Sequence, residues 1–173
     1  MSRKRTTEAS NSRAPASFLP DWVIGAATLH LLDVNVLVSL LWPRHVTHKP
    51  AIDWFASLNG APWATCVLSQ AGFVRLSSQS ASPGSPNDPS LAAQVLRVAT
   101  DAGEHTYLPI DFDFSVVNAL CTGGVVGHRQ VTDAWLLATA MRNNAKFVTF
   151  DKAVRHLLST ESERIKHLVI LDV

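Results

Sequence analysis

The sequence predicts an α/β fold with a mostly parallel central sheet. Short apolar segments, typical of buried strands, alternate along the chain with longer segments of helical periodicity. The length of 173 residues fits one domain with a sizeable core, and a hydrophobic content of 47% is usual for globular proteins. Together these observations favour one folded α/β domain.

The first part of the chain is expected to lie outside that domain. Residues 1–20 are polar, carry scattered basic residues and show no periodicity. We therefore expect residues 1–28 to form a disordered N-terminal extension and residues 29–173 to form the folded domain. The basic start resembles that of a signal peptide, but no separate apolar core with a small-residue cleavage site follows it. A dispensable extension is favoured over a basic arm that binds nucleic acid.

Strands and helices are predicted in alternation along the folded part. Apolar runs predict strands at 29–32, 63–68, 106–110, 146–150 and 167–171. Apolar periodicity predicts helices at 33–42, 50–58, 69–76, 91–100, 115–121, 131–143 and 152–158. The first helix should end before Pro43, and Ser69 could cap the third. The Ser- and Pro-rich segment 77–90 and the glycine-rich segment 122–128 should be loops.

The charge balance argues against a globally basic nucleic-acid binder. The formal net charge is +1, from 15 basic and 14 acidic residues. RNA is not excluded as a substrate, because a metal ion and a local basic rim can bind phosphate. No stretch is long and uncharged enough to span a membrane, and Cys66 and Cys121 form no zinc or disulfide motif. We expect a cytoplasmic protein.

Three aspartates interrupt or end strongly apolar segments. They are Asp33 in LHLLDVNVLVSLLW, Asp133 in RQVTDAWLLATAM and Asp151 in KFVTFDKAV. An ionised carboxylate among apolar neighbours is costly unless it is hydrogen-bonded, paired or bound to a cation. Helix capping could explain any one of them alone, since each lies at a predicted helix start. The three together favour a shared cation, and carboxylate oxygens select Mg²⁺ or Mn²⁺.

Four segments taken together resemble the successive motifs of PIN-domain ribonucleases. They are LLDVNVLVSLLW, TCVLSQAGFVRLSS, GHRQVTDAWLLATA and FVTFDKAV, and they keep the family's order from about Leu29 to the C-terminus. The pattern is most similar to that of the VapC toxins of bacterial toxin–antitoxin pairs. The resemblance implies a three-layer α/β/α domain and a Mg²⁺- or Mn²⁺-dependent endoribonuclease that leaves a 5′-phosphate and a 3′-hydroxyl. It also implies a VapB-type antitoxin partner and a homodimer.

The resemblance also assigns roles to individual residues. Asp33, Asp133 and Asp151 match the first, third and fourth family acids. A metal ion held by Asp33 and Asp133 would bind the scissile phosphate, while Asp151 would complete the site and position the attacking water. Asn35 matches the polar residue after the first acid, and Thr149 the hydroxyl residue before the last. Both would orient ligands or water.

The second family acid, usually a glutamate, aligns with Gln70. Glutamine keeps a carbonyl acceptor but lacks the charge, so the site would hold roughly three negative charges instead of four and bind its metal more weakly. This departure leaves open a weakened or inactive PIN module that binds RNA or a partner without cleavage. A third reading is a haloacid-dehalogenase-like phosphatase, since Asp111-Phe112-Asp113 faintly resembles its nucleophile motif, with Asp111 as the nucleophile. We find no convincing downstream lysine motif to support it.

Other polar residues have less definite roles. His128 and Arg129 precede the Asp133 helix and could contact an RNA phosphate or be ordinary loop residues. A structural ion pair is the favoured role for Arg75, and His45 and His48 should lie on the surface. Apolar residues of the first two predicted helices could line a groove for an antitoxin helix or belong to the core.

Overall fold

The structure, a computed structural model, describes residues 27–79 and 87–173. The predictions for residues 1–26, which cover most of the expected N-terminal extension, and for residues 80–86 of the expected loop lie outside the described residues. The strands of the described part are β1 His30–Leu32, β2 Trp63–Thr65, β3 His105–Tyr107, β4 Lys146–Thr149 and β5 Leu168–Ile170. The helices are α1 Val34–Leu41, α2 His48–Ser57, α3 Val67–Ser77, α4 Pro89–Asp101, α5 Phe114–Leu120, α6 Val131–Arg142 and α7 Glu161–His167.

All five strands pair in parallel, in the order β3-β2-β1-β4-β5. The central strand β1 places Leu31 opposite Ala64 of β2 and opposite Phe147 of β4. The chain therefore builds the sheet outward from β1 in one direction and then returns to add β4 on the other side. This order puts a topological switch point between β1 and β4, where α/β sheets open a crevice at the carboxyl ends of their strands.

Two hydrophobic clusters cover the two faces of the sheet. Neighbouring residues of β1, β2, β4 and β5 belong to opposite clusters, as Leu31 and Leu32 do in β1, because successive side chains of a strand point to opposite faces. Helices α5 and α6 cover the face of Leu31, and α1 to α4 cover the face of Leu32. The predicted three-layer α/β/α fold is confirmed.

Several element boundaries differ from the predictions. The strand predicted at 63–68 ends at Thr65, because α3 already begins at Val67. Ser69 is therefore not the cap of that helix; its hydroxyl lies in the first turn and accepts a hydrogen bond from the Cys66 N–H at 3.0 Å. The strand predicted at 106–110 is β3, which ends at Tyr107.

Three further differences concern the helices. Helix α4 begins at Pro89, before the predicted 91, because the Asp88 carboxylate accepts from the N–H groups of the first turn. The segment Lys152–Leu157 is a 3₁₀ helix, where an α-helix was predicted. Helix α7 was missed, since it buries no residue and is set by the capping box of Thr160 and Glu163. None of the described helices is long and apolar enough to cross a membrane.

Candidate functional site

The Asp33 carboxylate lies at the switch point, directly after β1. Its side chain is almost fully buried, and the residue's N–H donates to the Val148 carbonyl of β4 at 2.9 Å. Its oxygens accept hydrogen bonds from the Val34 N–H at 2.6 Å, Asn35 Nδ2 at 2.7 Å and Thr149 Oγ1 at 2.6 Å. Burial raises the pKa of Asp33, and these three donors oppose the rise. The site thus holds a buried carboxylate by neutral donors alone.

Thr149 and Asn35 connect Asp33 to the segment that follows β4. Besides donating to Asp33, the buried Thr149 hydroxyl accepts from the Asp151 N–H and from Asn35 Nδ2, both at 3.0 Å. Asn35 Oδ1 accepts from the Phe150 N–H at 3.2 Å. The side chain of Asp151 is exposed and accepts from the Ala153 N–H at 2.7 Å. One network therefore fixes the first and last of the three aspartates relative to each other.

Asp133 lies in the first turn of α6 and differs from Asp33 and Asp151 in its hydrogen bonding. Helix α6 is largely buried, as predicted, and Asp133 itself is partly buried. Within the described residues its carboxylate accepts no hydrogen bond and forms no ion pair. Burial, followed by the charges of Asp33 and Asp151, raises the pKa of Asp133 to about 6. Helix capping accounts for Asp33 and Asp151 but not for Asp133.

The three aspartates form what we call the carboxylate cluster: Asp33, Asp133 and Asp151. Their charges repel one another, and this repulsion is why the charge of Asp151 raises the pKa of both Asp33 and Asp133. A hard divalent cation suits this donor set of carboxylate oxygens and would offset the repulsion. In residues 27–79 and 87–173, however, no three acidic, histidine or cysteine side chains are arranged as a ready-made metal site. The donor chemistry fits a cation, while the side-chain positions are not those of a closed ligand cage.

Gln70 is hydrogen-bonded to a strand residue, Thr65, whose side chain lies on the sheet face opposite to that of Thr149. Its Nε2 donates to Thr65 Oγ1 at 2.8 Å, and Thr65 shares the sheet face of Trp63, which α1 to α4 cover. Thr149 instead shares the face of Phe147, which α6 covers. Thr65 lies within the strand predicted at 63–68, and no local sequence pattern marks its hydroxyl as the partner of Gln70.

A groove runs beside Gln70 between α3 and α4. Its volume is about 760 Å³, within the size range of ligand pockets, and Gln70, Arg75, Arg97 and Tyr107 contribute to its wall. The ion pair predicted for Arg75 is not found among residues 27–79 and 87–173, and the Arg75 side chain is exposed in the groove.

The structure also shows where the remaining histidines, Arg129 and Asp111 lie. His45 and His48 are not simple surface residues; both are half-buried, with contacts to the Ser39 hydroxyl at 3.2 Å and the Ser39 carbonyl at 2.7 Å, respectively. Asp111 is exposed and lies 3.9 Å from Arg142 in a loose ion pair. His128 and Arg129 are exposed in the 3₁₀ turn His128–Gln130 that leads into α6.

The tryptophans support the core. Trp42 and Trp63 are buried, and Trp42 stacks on Phe73 with ring centroids 5.7 Å apart. Trp135 packs against Phe112 and Phe114. These positions show that the three rings serve packing within the protein.

Comparison with known proteins places the chain in a family. Residues 30–157 match the PIN domain. Ribonuclease VapC39 of Mycobacterium tuberculosis is 40% identical over 124 residues, which cover 72% of this chain and 89% of that protein. Ribonuclease VapC44 of the same organism is 36% identical over 141 residues, which cover 82% of this chain and 98% of that protein.

Solved structures share the fold at low sequence identity. A VapBC2 complex from Rickettsia felis bound to a promoter DNA fragment superposes with a TM-score of 0.55 at 14% identity, covering 84% of this chain and 100% of that one. FitAcB from Neisseria gonorrhoeae superposes with a TM-score of 0.51 at 17% identity, covering 80% and 95%. The matched domain and the relatives that span most of its length show that this chain belongs to the PIN-domain family, alongside the VapC ribonucleases.

Proposed function

We propose that this chain is an endoribonuclease that uses a divalent cation, Mg²⁺ or Mn²⁺, and that it acts as the toxin of a VapBC-type pair. The observation that carries the proposal is the Asp133 carboxylate, which is partly buried, lacks a described hydrogen-bond donor and has a pKa of about 6. Folding places this charge beside two others without compensation, which is the arrangement expected where a cation completes the site. Relatives that carry the name ribonuclease supply the reaction class.

In this proposal Asp33, Asp133 and Asp151 hold the cation. When bound, such a cation activates water and neutralises charge on the scissile phosphate. The chain's own contribution is to position the acids: Thr149 and Asn35 fix the Asp33 carboxylate by hydrogen bonds at 2.6 Å and 2.7 Å. The same hydroxyl accepts from the Asp151 N–H, so Thr149 sets the distance between two of the proposed ligands. Gln70 supplies no ligand in this scheme.

The proposed protein partner is a VapB-type antitoxin. The structures with the same fold include complexes named as VapBC2 and FitAB, which supports such a partner. Two adjoining apolar hollows between α1, α2 and α4 share Leu41, Ala99 and Ala102 in their walls. Ile52 and Val98 remain exposed there. We propose that an amphipathic antitoxin helix covers this surface, as the sequence suggested for the first two helices. A homodimer remains part of the proposal.

The proposal is tested by incubating the antitoxin-free protein with total cellular RNA in Mg²⁺, Mn²⁺ or chelator. Cleavage is expected with either cation and not with chelator, and Asp133→Asn should abolish it while the circular dichroism spectrum is unchanged. Asp111→Asn is the matched control, since Asp111 is an exposed acid outside the cluster. Retained cleavage by purified Asp133→Asn would contradict the proposal.

A PIN module that binds RNA or its partner without cleaving remains the alternative, because Gln70 stands where the family has an acid. Gain of cleavage in Gln70→Glu, absent from the parent chain, would support this alternative. Hydrolysis of a small phosphomonoester that is lost in Asp111→Asn would instead support a phosphatase. The exposed position of Asp111 gives that reading no support.

A further inference from the structure

Gln70 is held from inside the protein by a chain of two further side chains. Its Nε2 donates to Thr65 Oγ1 at 2.8 Å, and the fully buried Thr65 hydroxyl lies 2.8 Å from His105 Nε2. His105 packs against Trp63, with ring centroids 4.6 Å apart. Because Thr65 has a single hydroxyl proton and accepts from Gln70 Nε2, that proton is free to be donated to His105 Nε2. We call Gln70, Thr65 and His105 the Gln70 chain.

The hydrogen-bond direction determines which end of the Gln70 amide faces outward. Burial lowers the pKa of His105, so its imidazole is neutral at pH 7. With the proton on Nδ1, His105 Nε2 accepts from the Thr65 hydroxyl, whose oxygen is then free to accept from Gln70 Nε2. Among the described residues, nothing donates to Gln70 Oε1. The amide therefore has its nitrogen engaged inside and its carbonyl oxygen open.

The open carbonyl belongs to a residue that lines the groove between α3 and α4. Arg75, Arg97 and Tyr107 line the same groove; the Arg97 guanidinium also lies 3.5 Å from the Asp101 carboxylate, in an exposed ion pair. Tyr107 is 49% exposed, so its ring is available for stacking. Guanidinium groups and exposed rings are the groups with which proteins hold single-stranded nucleic acid. No contact joins Gln70 to the carboxylate cluster in the described part of the chain.

We propose that Thr65 is a positioning residue that, together with His105, holds the Gln70 amide so that its Oε1 accepts a hydrogen bond from a sugar hydroxyl or base amino group of an RNA strand in this groove. The proposal rests on the proposed function for the choice of RNA as ligand. It makes Gln70 a contact for substrate and not a ligand for the cation. It also gives a use to the neutral amide at a position where the family usually has an acid.

The test compares Thr65→Val, Thr65→Ser and Gln70→Ala. In RNA cleavage, Thr65→Val and Gln70→Ala should each raise KM by about threefold to tenfold, the worth of one hydrogen bond, with little change in kcat. Thr65→Ser keeps the hydroxyl and should retain the parent KM. The double variant of Thr65→Val and Gln70→Ala should be no worse than either single variant, because both remove the same contact.

Binding gives a readout that does not depend on cleavage. The Kd of a single-stranded RNA oligonucleotide of mixed sequence, measured by fluorescence anisotropy in the Asp133→Asn background, should rise by the same factor in Thr65→Val and Gln70→Ala. Thr139→Val is the control, since Thr139 is also fully buried but its hydroxyl bonds only the Trp135 carbonyl of its own helix, at 2.7 Å. That variant should leave the Kd unchanged.

Three results would overturn the inference. They are an unchanged Kd in the surface variant Gln70→Ala, additive effects of Thr65→Val and Gln70→Ala, and a loss of Mn²⁺ affinity in Gln70→Ala. The last result would assign Gln70 to the cation site. RNA that binds as expected but is not cleaved by the parent protein contradicts the proposed function and leaves this inference standing.

Discussion

The carboxylate cluster and the Gln70 chain lie at neighbouring positions of one sheet but are built in opposite ways. The cluster brings together three like charges. One of them, the Asp133 carboxylate, accepts no hydrogen bond from the residues that the structure describes. The Gln70 chain consists of neutral groups at pH 7. The Thr65 hydroxyl is hydrogen-bonded to both Gln70 and His105. The first arrangement leaves like charges uncompensated, which is what we expect at the proposed cation site, whereas the second contains no charge for a cation to offset. We infer that the two regions bind different parts of the same complex, cation and RNA strand.

The largest expected difference is in catalysis. Asp133→Asn should lower the single-turnover rate of RNA cleavage in Mg²⁺ by on the order of 100-fold or more, because it removes a charge that the proposed cation requires. Gln70→Ala should leave that rate nearly unchanged at saturating RNA. Equal losses in the two variants would show that the regions are not functionally distinct.

The network around Asp33 should come next in size. Thr149→Val removes a hydroxyl that donates to Asp33 and accepts from the Asp151 N–H, so the Asp33 carboxylate and the Asp151 backbone each lose a contact that holds them. We expect cleavage to fall by about 10- to 100-fold, as is usual when a group that orients metal ligands is lost. Thr149→Ser should restore most of the activity. Activity that is insensitive to Thr149→Val would mean that Asp33 is positioned by other contacts.

The charge repulsion at Asp133 should be visible in stability. Its pKa of about 6 lies above the ordinary aspartate value, so the folded chain binds a proton more tightly than the unfolded chain does. The cost of the ionised carboxylate is therefore present above pH 6 and is relieved as the pH falls through 6. In chelator at pH 7, Asp133→Asn should raise the free energy of unfolding by about 1 kcal/mol, allowing for solvent screening.

Urea denaturation at several pH values measures this effect. The advantage of Asp133→Asn should shrink as the pH falls from about 6 and should disappear below the ordinary aspartate value of 3.8, where the parent carboxyl group is protonated in both states. Asp111→Asn, a change at an exposed acid outside the carboxylate cluster, is the matched control. A less stable Asp133→Asn variant at pH 7 in chelator would contradict the claim that Asp133 is uncompensated.

The smallest effect is expected from adding a charge to the Gln70 chain. In Gln70→Glu the Thr65 hydroxyl can donate to the new carboxylate, so the fold should tolerate the change. The added charge faces the groove and should weaken RNA binding modestly, while the affinity for Mn²⁺ in calorimetric titration stays at the parent value. A clear gain in Mn²⁺ affinity would unite the two regions into one cation site.

The sequence was sufficient to predict features that produce a local or repeating pattern of residues. Apolar runs that alternate with helical periodicity predicted the parallel α/β sheet, and an acid inside the apolar α6 segment identified Asp133 as unusual. Helix α7 escaped because a surface helix with no buried residue leaves no apolar period. The Thr65–His105 contact could not be predicted, because it joins residues on two strands and depends on side-chain direction within the folded sheet.

The same limit applies to the site. Four motifs in family order pointed to Asp33, Asp133 and Asp151, and the structure adds that capping explains two of them and not the third. The family resemblance matched Gln70 to the second acid, but only the folded sheet shows that its partner Thr65 lies on the face covered by α1 to α4. Long-range geometry, and not residue type, separates the two regions.

The most direct test of the central claim is a Mn²⁺ titration of the chain at pH 7, followed by electron paramagnetic resonance. The parent protein should bind Mn²⁺, Asp133→Asn should lose that binding, and Gln70→Ala should keep it. Equal Mn²⁺ binding by the parent and Asp133→Asn would contradict the claim that the carboxylate cluster is a cation site.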